Sequence, residues 1–450
     1  MTDARYDVIV LGAGVAAFSA LNTLANGSQR IACLETFDRI GGNHRSQNIN
    51  GYTFDIGSFI FHEGYPIFRY FPKLAELCVP FSPSNQRLSP NSQVQKYPYD
   101  QAELLSSNPL KTMSYGLSFI KGRMFSRADN AESYIIKVVG RGLYDDLGLS
   151  NYVRRFYGVS PDRIDRRFVE DRMQFILNAA RPTAFLRSLI KSRFGKQSTS
   201  GLAKRVAYAR PKEGFETFYA PVKSVLEKRG VEFHFGVQIK GILRESEGFL
   251  VETCNGKMHT RRLVNTMPLV VLWPKLQEPT PTLHLSSSRL ISLYVSFEGQ
   301  RKFDATVFFN FHSDGRWKRL TVHSDVYGKV GNREYFSVEV PESSPEASLG
   351  ETMFEDFKRH TQANGLFDGD MRLEGFEVSE HAYPVYEIDF GERLNAATDH
   401  LESIGIETVG RQGRFEYLPT SHGVMAQVER ILTGGSANDR RPNERQQKSC

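Results

Sequence analysis

Cysteine is scarce in this 450-residue chain: there are four, Cys33, Cys78, Cys254 and Cys450, widely separated and without a CxxC pair. That excludes a disulfide-built scaffold and the usual zinc spacings, and it fits a reducing compartment. No apolar run approaches the roughly 18 residues of a membrane span. The first residues lack the basic, apolar and small-residue order of a signal peptide, so the sequence predicts a cytoplasmic protein. Charge of one sign is also missing. Lys and Arg total 57 against 51 Asp and Glu, a net +6 that is too dilute for a nucleic-acid surface and suits an anionic small molecule. Internal repeats are absent. A composition of 40% hydrophobic and 24% charged residues excludes fibrous and disordered classes. A chain of this length is expected to form two or three packed domains.

The first 45 residues carry the strongest pattern. In YDVIVLGAGVAAFSALNTLANGSQRIACLETF, the apolar run ending at Leu11 meets a glycine turn, then a helix of small and apolar residues, then a second strand ending at Glu35. Gly12, Gly14 and Ala17 form G-x-G-x-x-A. The first glycine permits the tight turn, the second admits a pyrophosphate, and the small third residue lets the helix lie on the sheet. The helix N-terminus then faces the phosphate charge. Glu35 can accept hydrogen bonds from a ribose, and its charge disfavours a 2′-phosphate. In RIGGNHRS, the doublet Gly41-Gly42 offers a second bare backbone to the pyrophosphate, with Arg39 or Arg45 near the anion, and this favours FAD over NAD.

The rest of the chain reads as α/β: a discontinuous Rossmann-like FAD-binding domain (1–97, 205–275 and 385–433), a helical insert (98–204), a mostly antiparallel substrate-domain sheet (276–384) and a disordered tail (434–450). NINGYTFDIGSFIF reads as two extended segments around Asn50-Gly51, with Gly57 admitting a neighbour's approach. PLKTMSYGLSFIKGRMFSR reads as a basic amphipathic helix, either a solvated face or a peripheral contact with a membrane or lipid-linked substrate.

These segments resemble the glutathione-reductase-like FAD enzymes, which include amine oxidases, protoporphyrinogen oxidase and UDP-galactopyranose mutase. Ile40 to Asn43 and GSFIFHE look like the mutase family's IGGN and G-P-H-I-F-H-T, and GRQGRFEY is similar to its G-R-L-G-x-Y-R-Y. ARPKEGFETFYAPVKSVLEKRGVEFHFG resembles a further family segment, after which Val237 follows. The resemblance implies that Asn43, His44, Val237, Gly410 and Arg411 join the cofactor site, with Arg411 on the pyrophosphate. It implies that His62 lies near the flavin ring, and Phe59 replaces the family's first histidine. WKRLTVH resembles Y-T-R-I-T-E-H, which puts Arg319 on a diphosphate-binding arginine, and Tyr417 falls on a phosphate-binding tyrosine. Tyr383 and Tyr386 are expected to wall the flavin cavity. A second family arginine is missing at SVEVP, with Arg316 or Lys318 as substitutes, and the acidic segment after Tyr417 has become YLPTS. The expected activity is therefore an FAD-dependent oxidoreductase taking a hydride from a small molecule. The alternative is a non-redox nucleotide-sugar pyranose-furanose mutase, and a third reading is an FAD-binding partner without chemistry.

Overall fold

A computed structural model describes residues 3–57, 59–99, 108–173, 176–177, 206–342 and 349–434. Strand β1 (Ala4–Leu11) is buried continuously from Val8 to Leu11, the pattern of a central parallel strand covered on both faces. Helix α1 (Val15–Leu24) crosses over to β2 (Ile31–Leu34), which pairs parallel to β1 from Val8↔Ile31 to Leu11↔Leu34. Phe18 and Leu21 on α1 are fully buried, each worth about 1.5–3 kcal/mol of apolar transfer.

A hairpin, β3 (Ser46–Ile49) and β4 (Tyr52–Asp55), follows, with Asn50-Gly51 at its tip. The chain then bends at Ile56 and Gly57, and a Cβ placed on Gly57 would meet nothing within 4 Å. Strands β5 (Ile60–His62) and β6 (Val79–Phe81) flank a later strand described below, and β7 (Asn85–Leu88) and β8 (Val94–Lys96) complete the N-terminal segment.

Of the expected insert at 98–204, residues 100–107, 174–175 and 178–205 lie outside the described residues. The described part is helical: α2 (Pro109–Phe125), α3 (Ala131–Val139), α4 (Leu149–Tyr157) and α5 (Arg167–Arg172). The tail from residue 435 also lies outside the described residues.

Strand β9 (Ala207–Ala209) pairs antiparallel with both β5 and β6, and α6 (Phe215–Lys228) returns the chain to the first sheet. The stretch GVEFHFGVQIKGILRE forms two strands, β10 (Val231–His234) and β11 (Ile239–Glu245). The break between them is held by β2's continuation: Gly236 N donates to Phe37 O and Val237 N to Glu35 O, both at 2.9 Å. Strands β12 (Gly248–Thr253) and β13 (Gly256–Asn265) follow. The sheet order is β10-β2-β1-β13-β12-β11. The far half of β13 also pairs parallel with β19 (Ile406–Thr408). The connection reverses direction across the sheet at the carboxyl end of β1, the place where open α/β sheets bind ligands.

The second sheet runs β18-β14-β17-β16-β15-β7-β8, formed by β14 (Ser287–Arg301), β15 (Val307–Asn310), β16 (Arg319–Val322), β17 (Glu334–Glu342) and β18 (Phe367–Pro384) with the two early strands. Residues 85–96 thus join this sheet rather than the nucleotide-binding one. β7 pairs parallel with the edge of β15, satisfying backbone groups that would otherwise be exposed there. Helix α7 (Leu349–Ala363) covers the sheet, and α8 (Phe390–Ser403) leads into β19 and the last helix, α9 (Ser421–Leu432).

A buried ion pair ties the β3–β4 hairpin to the turn after β9. Asp55 ends β4 and Arg210 follows β9, and both side chains are wholly inaccessible. Arg210 Nε reaches both Asp55 oxygens at 2.9 Å, while its other nitrogens donate to the carbonyls of Pro211, Lys212 and Thr53. From the second sheet, Ser337 Oγ donates to Asp55 O at 2.9 Å and Tyr327 OH to Arg210 O at 2.9 Å.

Candidate functional site

The glycine turn after β1 and the Gly41-Gly42 doublet lie against each other. Gly41 N donates to Ala13 O at 2.8 Å, and Gly14 and Gly41 form a parallel bridge. A Cβ on Gly41 would stand 2.4 Å from His44 O, and one on Gly42 would stand 3.0 Å from Gly14 Cα. Both residues have positive φ, +128° and +60°. Only bare backbone leaves this slot open, which is what close approach of a pyrophosphate requires. The N-terminus of α1 opens on the slot with Gly14 as N-cap and no side-chain cap, so its amides remain for an anion.

Glu35 stands at the rim. Its Oε2 accepts from Ala13 N at 2.7 Å and its Oε1 from Phe37 N at 3.0 Å. Each oxygen keeps further acceptor capacity for a ribose hydroxyl. Arg39 and Arg45, expected near the anion, are engaged elsewhere: Arg39 with Asp38 and Glu216 on the surface, Arg45 with Glu377 of β18. Both guanidinium groups are thus paired with carboxylates, and the backbone amides at the start of α1 are what the slot itself presents. Asn43 is exposed beside it.

His44 stacks on Phe215 at 4.8 Å and packs beside Tyr219, whose hydroxyl is 2.6 Å from Nδ1. Burial, with repulsion from Arg411, lowers its pKa to about 4. It is neutral near pH 7. Because the folded pKa is below the unfolded value of about 6.5, His44's contribution is complete above pH 6.5 and is lost as pH falls from 6.5 to about 4. Thermal melts across that window should show the loss, and His44→Phe should flatten the slope. An unchanged slope would refute the assignment.

The chain returns to the cradle at Gly410, whose Cβ position would overlap that of Ala16 on α1 at 2.3 Å. Gln427 of α9 fixes the turn by accepting from Gly410 N at 2.9 Å. Arg411 follows Gly410 in the short helical turn Gly410–Gly413, within electrostatic reach of His44. Its guanidinium lies 4.7 Å from the Tyr383 ring centre and 5.5 Å from that of Tyr417, and it donates to Ala382 O at 2.8 Å. The substrate sheet ends there, and its strand-terminal carbonyl draws the guanidinium across.

Tyr383 and Tyr417, stacked at 6.3 Å, belong to a packed, largely buried cluster that also holds cations. Arg319 opens β16 and Lys318 immediately precedes it. Opposite Arg319 in the β16–β17 register stands Glu339, from the SVEVP segment that lacked the second arginine. Arg319 Nε donates to Glu339 Oε1 at 2.7 Å, Lys318 Nζ lies 2.7 Å from Oε2, and Lys318 also donates to Tyr383 OH at 3.0 Å. Burial works to raise the Glu339 pKa, but Arg319 and Lys318 outweigh it and hold the carboxyl at about 2. It stays ionised and neutralises one of the two cations.

The sequence did not single out Arg172, at the end of α5. Its guanidinium packs 5.2 Å from the Phe156 ring centre and 5.7 Å from that of Tyr152, within electrostatic reach of Tyr383, Tyr417 and Tyr97. Nε of Arg172 and Nε of Arg411 are both buried without a hydrogen-bond partner among the described residues. Arg172 packs on Phe156 and Arg411 on Tyr383, and those two rings are 5.1 Å apart. A signal was present in the sequence: Arg172 falls one turn after Phe168, on the apolar face of its helix.

Other predicted residues lie apart from this cluster. Tyr386 is buried, stacked on Phe390 at 4.1 Å, with its hydroxyl accepting from Tyr417 N; it braces Tyr417 rather than walling a cavity. His62 sits in β5 with its ring 5.5 Å from Tyr65, which in turn approaches His422 at the start of α9. Phe59 is fully buried against His323 at 5.1 Å. Arg316 is drawn to α7, its backbone N–H donating to Asp356 at 2.8 Å. Ala17 is buried on α1, and Val237 is buried beside Glu35.

Residues 10–76 match the NAD(P)-binding Rossmann-like domain family. No curated protein matches the chain in sequence. Among solved structures it is similar to reduced UDP-galactopyranose mutase, at TM-score 0.76 and 19% identity over 96% of both chains. It is also similar to a protein from Exiguobacterium sp. 255-15 assigned as a protoporphyrinogen oxidase, at TM-score 0.69 and 15% identity over 96% of this chain and 98% of that one. A putrescine oxidase variant redesigned in cofactor binding gives TM-score 0.63 and 13% identity over 96% and 100%. The chain therefore has the fold of these proteins, a Rossmann-like dinucleotide-binding domain joined to an antiparallel sheet.

Proposed function

We propose that the protein is an FAD-dependent enzyme acting on an anionic small molecule, and that a nucleotide sugar held by its diphosphate is the substrate class. The observation that carries this reading is the pair of unpartnered buried arginine nitrogens, on Arg172 and Arg411, beside Arg319 and Lys318. A protonated amine would be repelled by such a cation cluster, whereas a diphosphate could take charge-assisted bonds from it. Bound FAD supplies hydride acceptance or, when reduced, a nucleophilic nitrogen. Arg172 and Arg319 bind the substrate phosphates, Tyr417 and Tyr383 orient them, Lys318 holds the Tyr383 hydroxyl, and Arg411 links the cradle to this cluster. His44, neutral and enclosed, keeps water and charge from the cofactor's edge.

The non-redox mutase reading is favoured by this cation set. Hydride transfer from an anionic substrate is the second reading, favoured by Glu339, which cancels one cation, and by Phe59, which replaces a histidine. Dithionite-reduced protein should interconvert the ring forms of a nucleotide sugar without net oxidation. Bleaching of the oxidised flavin by an anionic substrate under anaerobic conditions would favour the second reading instead. Arg172→Ala should weaken UDP binding about tenfold or more, the effect of losing a charge-assisted bond of ~1.5–3 kcal/mol. Unchanged UDP affinity would end the anionic-substrate assignment.

A further inference from the structure

Helix α2 presents its apolar side outward. Asn108 caps its first turn by accepting from Leu110 N at 3.0 Å, and its inner face is tied down by three contacts. Ser118 accepts from Gly142 N at 2.9 Å, Tyr115 donates to Asp146, and Lys111 pairs with Asp146 at 2.9 Å. On the other side Leu110, Met113, Leu117, Ile120 and Met124 recur in steps of three and four. With Phe125 they are all more than half exposed, from 56% at Ile120 to 74% at Phe125. At 100° per residue this stripe lies opposite Tyr115, Ser118 and Gly122, so it is not the edge of a packed face.

An apolar stripe about 25 Å long, at ~1.5 Å per residue, is unusual on a soluble surface and marks an interaction site. Its charge decides the partner. The helix carries Lys111, Lys121 and Arg123 and no acidic residue, with Arg127 just beyond. Lys121, Arg123 and Arg127 are exposed. A second copy of α2 would set like charges against one another, whereas an anionic lipid surface complements both the stripe and its flanks. No described helix is long and apolar enough to cross a membrane. We propose that α2 is an interfacial helix that lies on an anionic membrane surface, with its stripe among the acyl chains and its cations at the headgroups.

Full-length protein should co-sediment with phosphatidylcholine vesicles containing about a quarter phosphatidylglycerol, and weakly or not at all with phosphatidylcholine alone, as expected where basic residues each add to the attraction of an apolar face. The double substitution Leu117→Asp/Met124→Asp should reduce that binding about tenfold or more with an unchanged circular dichroism spectrum, since both side chains are exposed. Lys121→Glu/Arg123→Glu should remove the preference for anionic vesicles. Failure of the native protein to bind, or equal binding by the aspartate variant, would overturn the proposal. A concentration-dependent dimer broken by the aspartate substitutions, without vesicle binding, would do so by showing that a second copy covers the stripe.

Discussion

Asp55→Ala is expected to destabilise the protein by about 3–5 kcal/mol, the cost of leaving a buried charge uncompensated. Arg210 would keep its carbonyl contacts to Pro211, Lys212 and Thr53, but carbonyl dipoles do not replace a carboxylate that meets Nε with both oxygens. The Ser46 hydroxyl, which donates to Asp55 while accepting from Phe215 N at the start of α6, would also lose its acceptor. His323, whose Nδ1 is 3.7 Å from Asp55, is held neutral by burial and by Arg210, so it cannot be counted as a second cation in the cluster. Urea denaturation of Asp55→Ala against the native chain measures the effect. Asp55→Ala/Arg210→Met should recover part of the loss, because a buried pair replaced by apolar groups costs less than a broken one. A single-mutant penalty below about 1 kcal/mol would show that the pair does not hold the hairpin to the turn after β9.

Gly42→Val is expected to yield folded protein with almost no flavin. The new Cβ would meet Gly14 Cα at 3.0 Å before its methyl groups are counted, and these would fill the slot that the pyrophosphate needs. The fall in FAD affinity should reach about a thousandfold, or ~4 kcal/mol. Positive φ alone also strains a β-branched residue by roughly 1–3 kcal/mol, so a control is needed. Gly51→Val provides it: Gly51 has φ +84° at the tip of the β3–β4 hairpin, with nothing within 4 Å of its Cβ position. The control should share the backbone strain and remain yellow. If both variants bind FAD as the native protein does, the slot between the two glycine segments is not the cofactor site.

The cofactor cradle was legible because its parts are close in sequence. Gly12, Gly14, Ala17 and Glu35 are fixed by one strand-helix-strand unit, and the doublet at Gly41-Gly42 follows within a few residues. Local spacing alone places these groups, since the rise of a strand and the pitch of a helix are set by the backbone. The direction of long side chains was not legible. Arg45 reaches Glu377 and Arg39 reaches Glu216, partners far away in sequence that a motif cannot reveal. Tyr386 looked like a cavity wall from its place beside Tyr383, yet the turn after Pro384 sends it into the core under Tyr417.

By itself, the sequence determined a βαβ nucleotide-binding unit, the return of the chain to it at Gly410, and an antiparallel sheet between. Tertiary structure decided the cation cluster. Arg172 arrives from a helix, Lys318 and Arg319 from the start of β16, Glu339 from β17, Tyr383 from β18, and Arg411 and Tyr417 from the segment before the last helix. Their meeting depends on the register of strands distant in sequence, and hydrophobic alternation specifies which face a residue takes but not which residue stands opposite it. Glu339 shows the difference: in sequence it marks the absence of an arginine, and in the folded sheet it is the carboxylate that anchors Arg319 and Lys318.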